Sequence, residues 1–213
     1  MELYFSPMAC SLASRIVVYE IGAEARIRFV EVDPRSKHTL EGSDYRAIYP
    51  LGLVPLLRLP DGSLLSENAA ILQYLAGLDP ESRLAPRDPL ERARLQQWLC
   101  FIGTELHKAL FIPLFDTNAP EGTRERTLAR QESRLDFLDA HLTARDYLLD
   151  RFTAADAYLF AVLNWAAPTR LDLSRWPAIQ AYHAQLQKRP EVARATREEF
   201  ALYQAEVARH RAA

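Results

Sequence analysis

The chain has 213 residues, 26 Lys and Arg against 28 Asp and Glu, and 49% apolar residues. That length buries a core without staples, and the near-even charge excludes the clustered basic surplus of a dedicated nucleic-acid binder. Two cysteines, at 10 and 100, exclude a disulfide-rich scaffold.

In chain order, Glu2–Phe5 reads as a strand followed by a Ser6-Pro7 turn, with no basic and apolar leader in MELYFSPMAC. A helix is expected from Cys10 through Glu20, with Leu12, Ile16 and Tyr19 at helical spacing. Ile27–Val32 alternates as a half-buried strand, and Leu40–Ile48 reads as a helix. Pro55–Leu59 and Leu64–Ser66 flank a Pro60-Asp61-Gly62 turn, the pattern of a hairpin. Asn68–Ala76 is helical, with Gly77 where a left-handed cap would stand. The order β-α-β-α-β-β-α makes an α/β module of residues 1–80, followed by a proline-bearing linker at 81–88.

From 89 to 213 the pattern is helical. Leu90–Phe111 carries Leu95, Trp98, Leu99 and Ile102 and is expected to end before Pro113. Arg124–Leu142 repeats leucines between charges, and Thr153-Ala-Ala-Asp156 has capping-box spacing ahead of DAYLFAVLNWAA, apolar on nearly every face. Trp176-Pro177 opens the next helix, and Val192–Arg209 closes the chain. No apolar run reaches the ~18 residues of a membrane span, so a cytoplasmic protein with reduced thiols is expected.

Three features of the first module carry chemistry. Cys10 stands where a strand gives way to a helix, and there the helix dipole and free N–H groups favour thiolate; the same position also suits a small buried hydrophobe. Val54-Pro55 begins a strand. With a cis bond, Val54 could turn its peptide groups toward an extended peptide; a plain strand-entry proline reads the same. Ser66-Glu67-Asn68 opens a helix whose free N–H groups suit a carboxylate, with Glu67 suited to an ammonium, although simple capping has the same form. Together they describe a shallow site for a small zwitterionic peptide beside a thiol.

The stretches LYFSPMACSL, LGLVPLLRLPDGSLLSENAAILQYLA, QQWLCFIGTELHKAL and FTAADAYLFAVLNWA resemble the bacterial, beta-class glutathione S-transferases over nearly the whole chain. The resemblance implies a thioredoxin-like α/β N-terminal domain at 1–80, an all-α C-terminal domain at 89–213, and a homodimer. It implies glutathione as co-substrate, with Cys10 against its sulfur, Val54 and cis-Pro55 on its cysteinyl backbone, and Glu67 and Asn68 on its γ-glutamyl end. Lys37 would reach the glycyl carboxylate, and His107 would point into the cleft near Cys10. Spacing adds that Cys100, Thr104 and His107 would share one helix stripe. Met8 and Cys100 depart from the family pattern, which carries Gly and Asn there in many members.

The expected activity is conjugation of glutathione to small hydrophobic electrophiles, or thiol–disulfide exchange through Cys10 with Ser11 as a neighbouring hydroxyl. Phe111 and Phe115 are candidates to line the electrophile pocket, and Tyr158 and Trp165 suit either that pocket or the core. The alternative is a non-catalytic glutathione-binding or scaffold protein on the same fold. The five histidines show no ligand spacing, so no metal is expected, and neither a nucleic-acid nor a membrane partner is implied.

Overall fold

A computed structural model describes residues 1–212 and packs them into two units: Met1–Ser82 with the last helix, and Arg83–Arg189. In the sheet unit, β1 (Glu2–Phe5), α1 (Leu12–Glu20), β2 (Arg28–Glu31), α2 (Tyr45–Ile48), β3 (Leu56–Arg58), β4 (Leu64–Leu65) and α3 (Asn68–Gly77) follow in the expected order. The sheet runs β2-β1-β3-β4, with β1 and β2 parallel and the other pairs antiparallel. A parallel pair needs a crossover, which α1 supplies. Leu3 pairs with Phe29 and Leu57, and Tyr4 with Val30 and Leu56, so alternate residues face opposite sides. Tyr4, Val30 and Leu56 join Val32 and Tyr45 in one buried cluster, while Leu3 and Leu57 are fully buried on the other side.

Local chemistry revises several boundaries. The helix expected over Leu40–Ile48 is only Tyr45–Ile48, because Gly42, at φ +88°, closes a turn by donating its N–H to the Thr39 carbonyl. Asp44 then caps the short helix, accepting the Arg46 N–H at 2.9 Å. The Asp61-Gly62 hairpin forms as expected, with Gly62 at φ +84°. Gly77 is not a left-handed cap; it ends α3 in helical conformation and Leu78 follows it with φ −76°. In β2, burial does not alternate: Val30 and Glu31 are both buried, because Arg209 of the last helix pairs with Glu31 at 2.5 Å.

The helical unit begins with α4 (Pro89–Phe101), capped by Asp88, which accepts the N–H groups of Leu90 and Glu91. It continues without a break through a π-helical stretch, Ile102–Phe111, into α5 (Ile112–Phe115). Pro113 therefore does not end the helix. The wider π register bonds the Ile112 N–H to the His107 carbonyl, five residues back, which moves the ladder away from the spacing with which a proline ring clashes. Pro89–Phe115 is long and apolar enough by composition to cross a membrane, yet within its unit it packs against α6 (Thr123–Leu142) and α7 (Ala154–Leu163). Every residue of α7 is buried, as its sequence suggested. α8 (Pro177–Leu186) opens on its proline. The last helix, α9 (Pro190–Ala212), was grouped by sequence with the second half; by packing it lies against α1 and joins the sheet unit.

Candidate functional site

The chain leaves β1 at Ser6, whose hydroxyl donates to the Val32 carbonyl at 2.6 Å. A tight turn follows, closed by the Ala9 N–H on the Ser6 carbonyl at 3.1 Å. Cys10 lies just ahead of α1 rather than in its first turn, because Ser11 is the cap and Leu12 the first helical residue. Its Sγ sits 3.5 Å from the Val54 carbonyl, and its own carbonyl accepts the Asn68 amide Nδ2 at 3.1 Å. Three separate stretches therefore converge on one thiol, buried to 7% exposure. The Val54-Pro55 bond is cis.

Two assignments change in this geometry. Ser11 is fully buried and donates to the Ser6 carbonyl at 3.2 Å, so its hydroxyl holds the turn and is not offered to a ligand. The Asn68 side chain is likewise engaged, clamping Cys10 on one side and accepting the Ser14 hydroxyl at 3.3 Å on the other. Asn68 thus positions Cys10, and of the Glu67-Asn68 pair only Glu67 has an exposed side chain.

Backbone strain gathers around the same residues. Met8, Lys37 and Glu67 adopt φ of 58°, 59° and 68°, a region that costs a non-glycine residue on the order of 1 kcal/mol or more. Such conformations persist where surrounding contacts over-determine them. Lys37 gives its N–H to Asp33 and its carbonyl to Tyr45, and its stem runs beside Gly52, two residues before Val54. Met8 gives its N–H to a Glu199 carboxylate oxygen at 2.8 Å.

Glu199 and Arg15 are the residues that pattern reasoning missed. Glu199, on α9, is fully buried and binds the Arg15 Nε at 2.9 Å, and burial pushes its carboxyl up to about 7. The Arg15 guanidinium lies 3.9 Å from the centre of the Phe29 ring and 4.6 Å from that of Phe5. A signal was present: each charge interrupts a buried stripe, Arg15 within LASRIVVYE and Glu199 in register with Val192 and Ala195.

In the helical unit, His107 is buried at 8% exposure, with Nδ1 2.7 Å from the Tyr158 hydroxyl and its ring edge-on to Trp165 at 4.9 Å. The expected stripe of Cys100, Thr104 and His107 does not form. The π register turns His107 inward and leaves the other two exposed. Trp165 also meets Phe111 and Phe115 edge-on, at 5.8 Å and 5.6 Å. Phe111 is fully buried and so fills the core instead of lining an open pocket; Phe115 is 41% exposed. Tyr158 and Trp165 are buried.

Burial, with the charge of Lys108, pushes the His107 imidazole down from 6.5 to about 4, so the ring is neutral at pH 7. The unfolded chain then binds a proton that the folded chain refuses, and stability is lost as pH falls from 6.5 to about 4. His107→Gln should flatten the fall in melting temperature over that window. An unchanged acid limb in the variant would show that the ring titrates as it does in water.

Among the described residues, no group of three or more His, Cys, Asp or Glu is placed to hold a metal ion. Cys10 is buried and Cys100 exposed.

Family models match in two segments: Glutathione S-transferase, N-terminal domain, over residues 7–78, and Glutathione S-transferase, C-terminal domain, over 98–190. The glutathione S-transferase GstA of Escherichia coli is 42% identical over 194 residues, 90% of this chain and 95% of the relative. A sphingomonad glutathione S-transferase solved with glutathione superposes with a TM-score of 0.87 at 39% identity, covering 93% of this chain and 98% of the other. A beta-class enzyme from Sphingomonas chungbukensis gives 0.86 at 39%, with the same coverage. The sheet order and the two matched segments agree, and the chain belongs to the glutathione S-transferase family, with its thioredoxin-like and all-helical parts.

Proposed function

We propose that this glutathione transferase binds glutathione along an edge formed by Lys37, Val54 and Glu67, with its sulfur at Cys10. The observation that carries the reading is the Cys10 thiol held at 3.5 Å from the Val54 carbonyl, with Lys37 alongside Gly52 and Glu67 exposed. Val54 and Pro55 would lie along the cysteinyl backbone, Lys37 would meet the glycyl carboxylate, and Glu67 the γ-glutamyl ammonium.

Cys10 suits exchange better than conjugation, since a second thiolate repels that of glutathione. In exchange, the Cys10 thiolate attacks the glutathione sulfur of a mixed disulfide, forming a Cys10–glutathione disulfide and releasing the other thiol. A second glutathione thiolate attacks that bond, frees Cys10 and leaves as glutathione disulfide, so electrons and protons balance. In conjugation, the glutathione thiolate attacks a small hydrophobic electrophile and displaces its leaving group, a detoxifying step. His107 is assigned as the second catalytic residue, neutral and working through hydrogen bonds, and Phe115 as the electrophile contact. Functionally, residues 1–80 form the glutathione domain, 81–88 a linker and 89–213 the electrophile domain, in a cytoplasmic homodimer.

The test is a calorimetric titration of the reduced protein with glutathione. Saturation near one equivalent per chain supports the site, and no heat of binding at millimolar glutathione overturns it.

A further inference from the structure

The turn that carries Lys37 is built on Asp33. The Asp33 Oδ1 accepts the Arg35 N–H at 2.9 Å and the Ser36 N–H at 2.8 Å, and its carbonyl accepts the Lys37 N–H at 3.0 Å. Its own N–H donates to the His38 carbonyl at 2.9 Å, so the turn closes on this one residue. Pro34, Arg35 and Ser36 are exposed, and Lys37 follows them at φ 59°. A short exposed turn bearing a left-handed lysine keeps one conformation where contacts from outside it fix that conformation.

One such contact is the Tyr45 N–H on the Lys37 carbonyl at 2.9 Å. Another arrives from the far end of the chain. In the last turn of α9, the His210 Nε2 lies 2.6 Å from the second Asp33 oxygen, Oδ2, and both side chains are only 15% exposed. An ionised carboxylate only accepts, so Nε2 carries the proton. Burial would raise the Asp33 carboxyl, yet the Ser36 and Arg35 N–H groups and His210 outweigh it and hold the group down at about 2. The neighbouring Arg209 pairs with buried Glu31, two residues before Asp33, and buried Glu206, one helical turn before His210, adds a second acidic neighbour for its ring. The Asp33 carboxylate therefore faces two ways, with one oxygen on the turn and the other on the helix.

We propose that His210 is a positioning residue for glutathione: through Asp33 it fixes the turn that aims Lys37 at the glycyl carboxylate. The inference rests on the assignment of Lys37 in the proposed function, and adds to it a dependence on a helix turn 177 residues from Asp33. His210 touches no ligand; it acts by holding the carboxylate around which the turn is folded.

The test compares calorimetric dissociation constants of the full chain for glutathione and for γ-glutamylcysteine, which lacks the glycyl carboxylate. His210→Ala should weaken glutathione roughly fivefold and leave γ-glutamylcysteine unchanged. His210→Gln, which keeps an N–H donor, should recover most of the loss. In the double variant K37A/H210A the histidine change should add nothing to the loss from Lys37→Ala, because both act on one contact. Equal glutathione affinity in wild type and His210→Ala overturns the inference. So does weakening of both ligands alike, the mark of a merely structural role, and so do additive losses in the double variant. If Lys37→Ala itself leaves glutathione binding intact, the assignment of Lys37 falls and this inference falls with it. If Lys37→Ala weakens binding and His210→Ala does not, the inference alone falls.

Discussion

Cys10→Ala should lower glutathione-dependent disulfide reduction by roughly three orders of magnitude while leaving glutathione affinity within about threefold. The asymmetry follows from what the side chain does. Its sulfur is held beside the Val54 carbonyl, whereas the neighbouring Ser11 hydroxyl is buried and committed to the Ser6 carbonyl. The backbone around it is held by other groups: the Asn68 amide on the Cys10 carbonyl, the Ala9 N–H on Ser6, and Glu199 on the Met8 N–H. Alanine therefore removes the reaction without releasing the turn. Cys10→Ser keeps a hydroxyl donor within reach of Val54 and should be equally inactive in exchange, which separates nucleophile loss from hydrogen-bond loss. Full reductase activity in Cys10→Ala would place the exchanging sulfur elsewhere.

Asp156→Ala should destabilise the helical unit by about 4 kcal/mol and lower the melting temperature by roughly 10 °C. Asp156 is fully buried and its carboxylate is the hub of four bonds. The Thr153 N–H reaches Oδ2 at 2.8 Å and the Thr153 hydroxyl at 3.0 Å, while the Leu148 N–H reaches Oδ1 at 2.8 Å and the Tyr182 hydroxyl at 2.6 Å. Burial pushes this carboxyl up and the four donors work against that rise. Truncation leaves all four donors without their acceptor inside a packed unit, which costs far more than an exposed cap would. Asp156→Asn retains one acceptor oxygen and should fall between the two. A melting temperature within about 2 °C of wild type would show that water replaces the carboxylate, contrary to its burial.

Much of this was legible in the residues. Thr153 and Asp156 stand at capping spacing, so a local hydrogen-bond pattern was readable three residues apart. The β-α-β order, the Gly62 turn and the all-buried α7 were readable for the same reason: each depends on periodicity or on one residue's backbone preference. The cysteine, the Val-Pro pair and the Glu-Asn pair could be named singly from their motifs.

What could not be read was long-range compensation. Nothing local announces that Glu199 reaches back 184 residues to Arg15, or that Asn68 spends its amide on a carbonyl 58 residues away. A π register in place of an α register decided which way His107 faces, and a hydroxyl on another helix, Tyr158, decided its neighbour. Sequence by itself determined which elements form and which reactive groups the chain owns, because those follow from neighbours within a few residues. Tertiary structure alone decided which polar groups remain available, because a buried donor or acceptor must be satisfied by whatever packing brings to it, however distant along the chain.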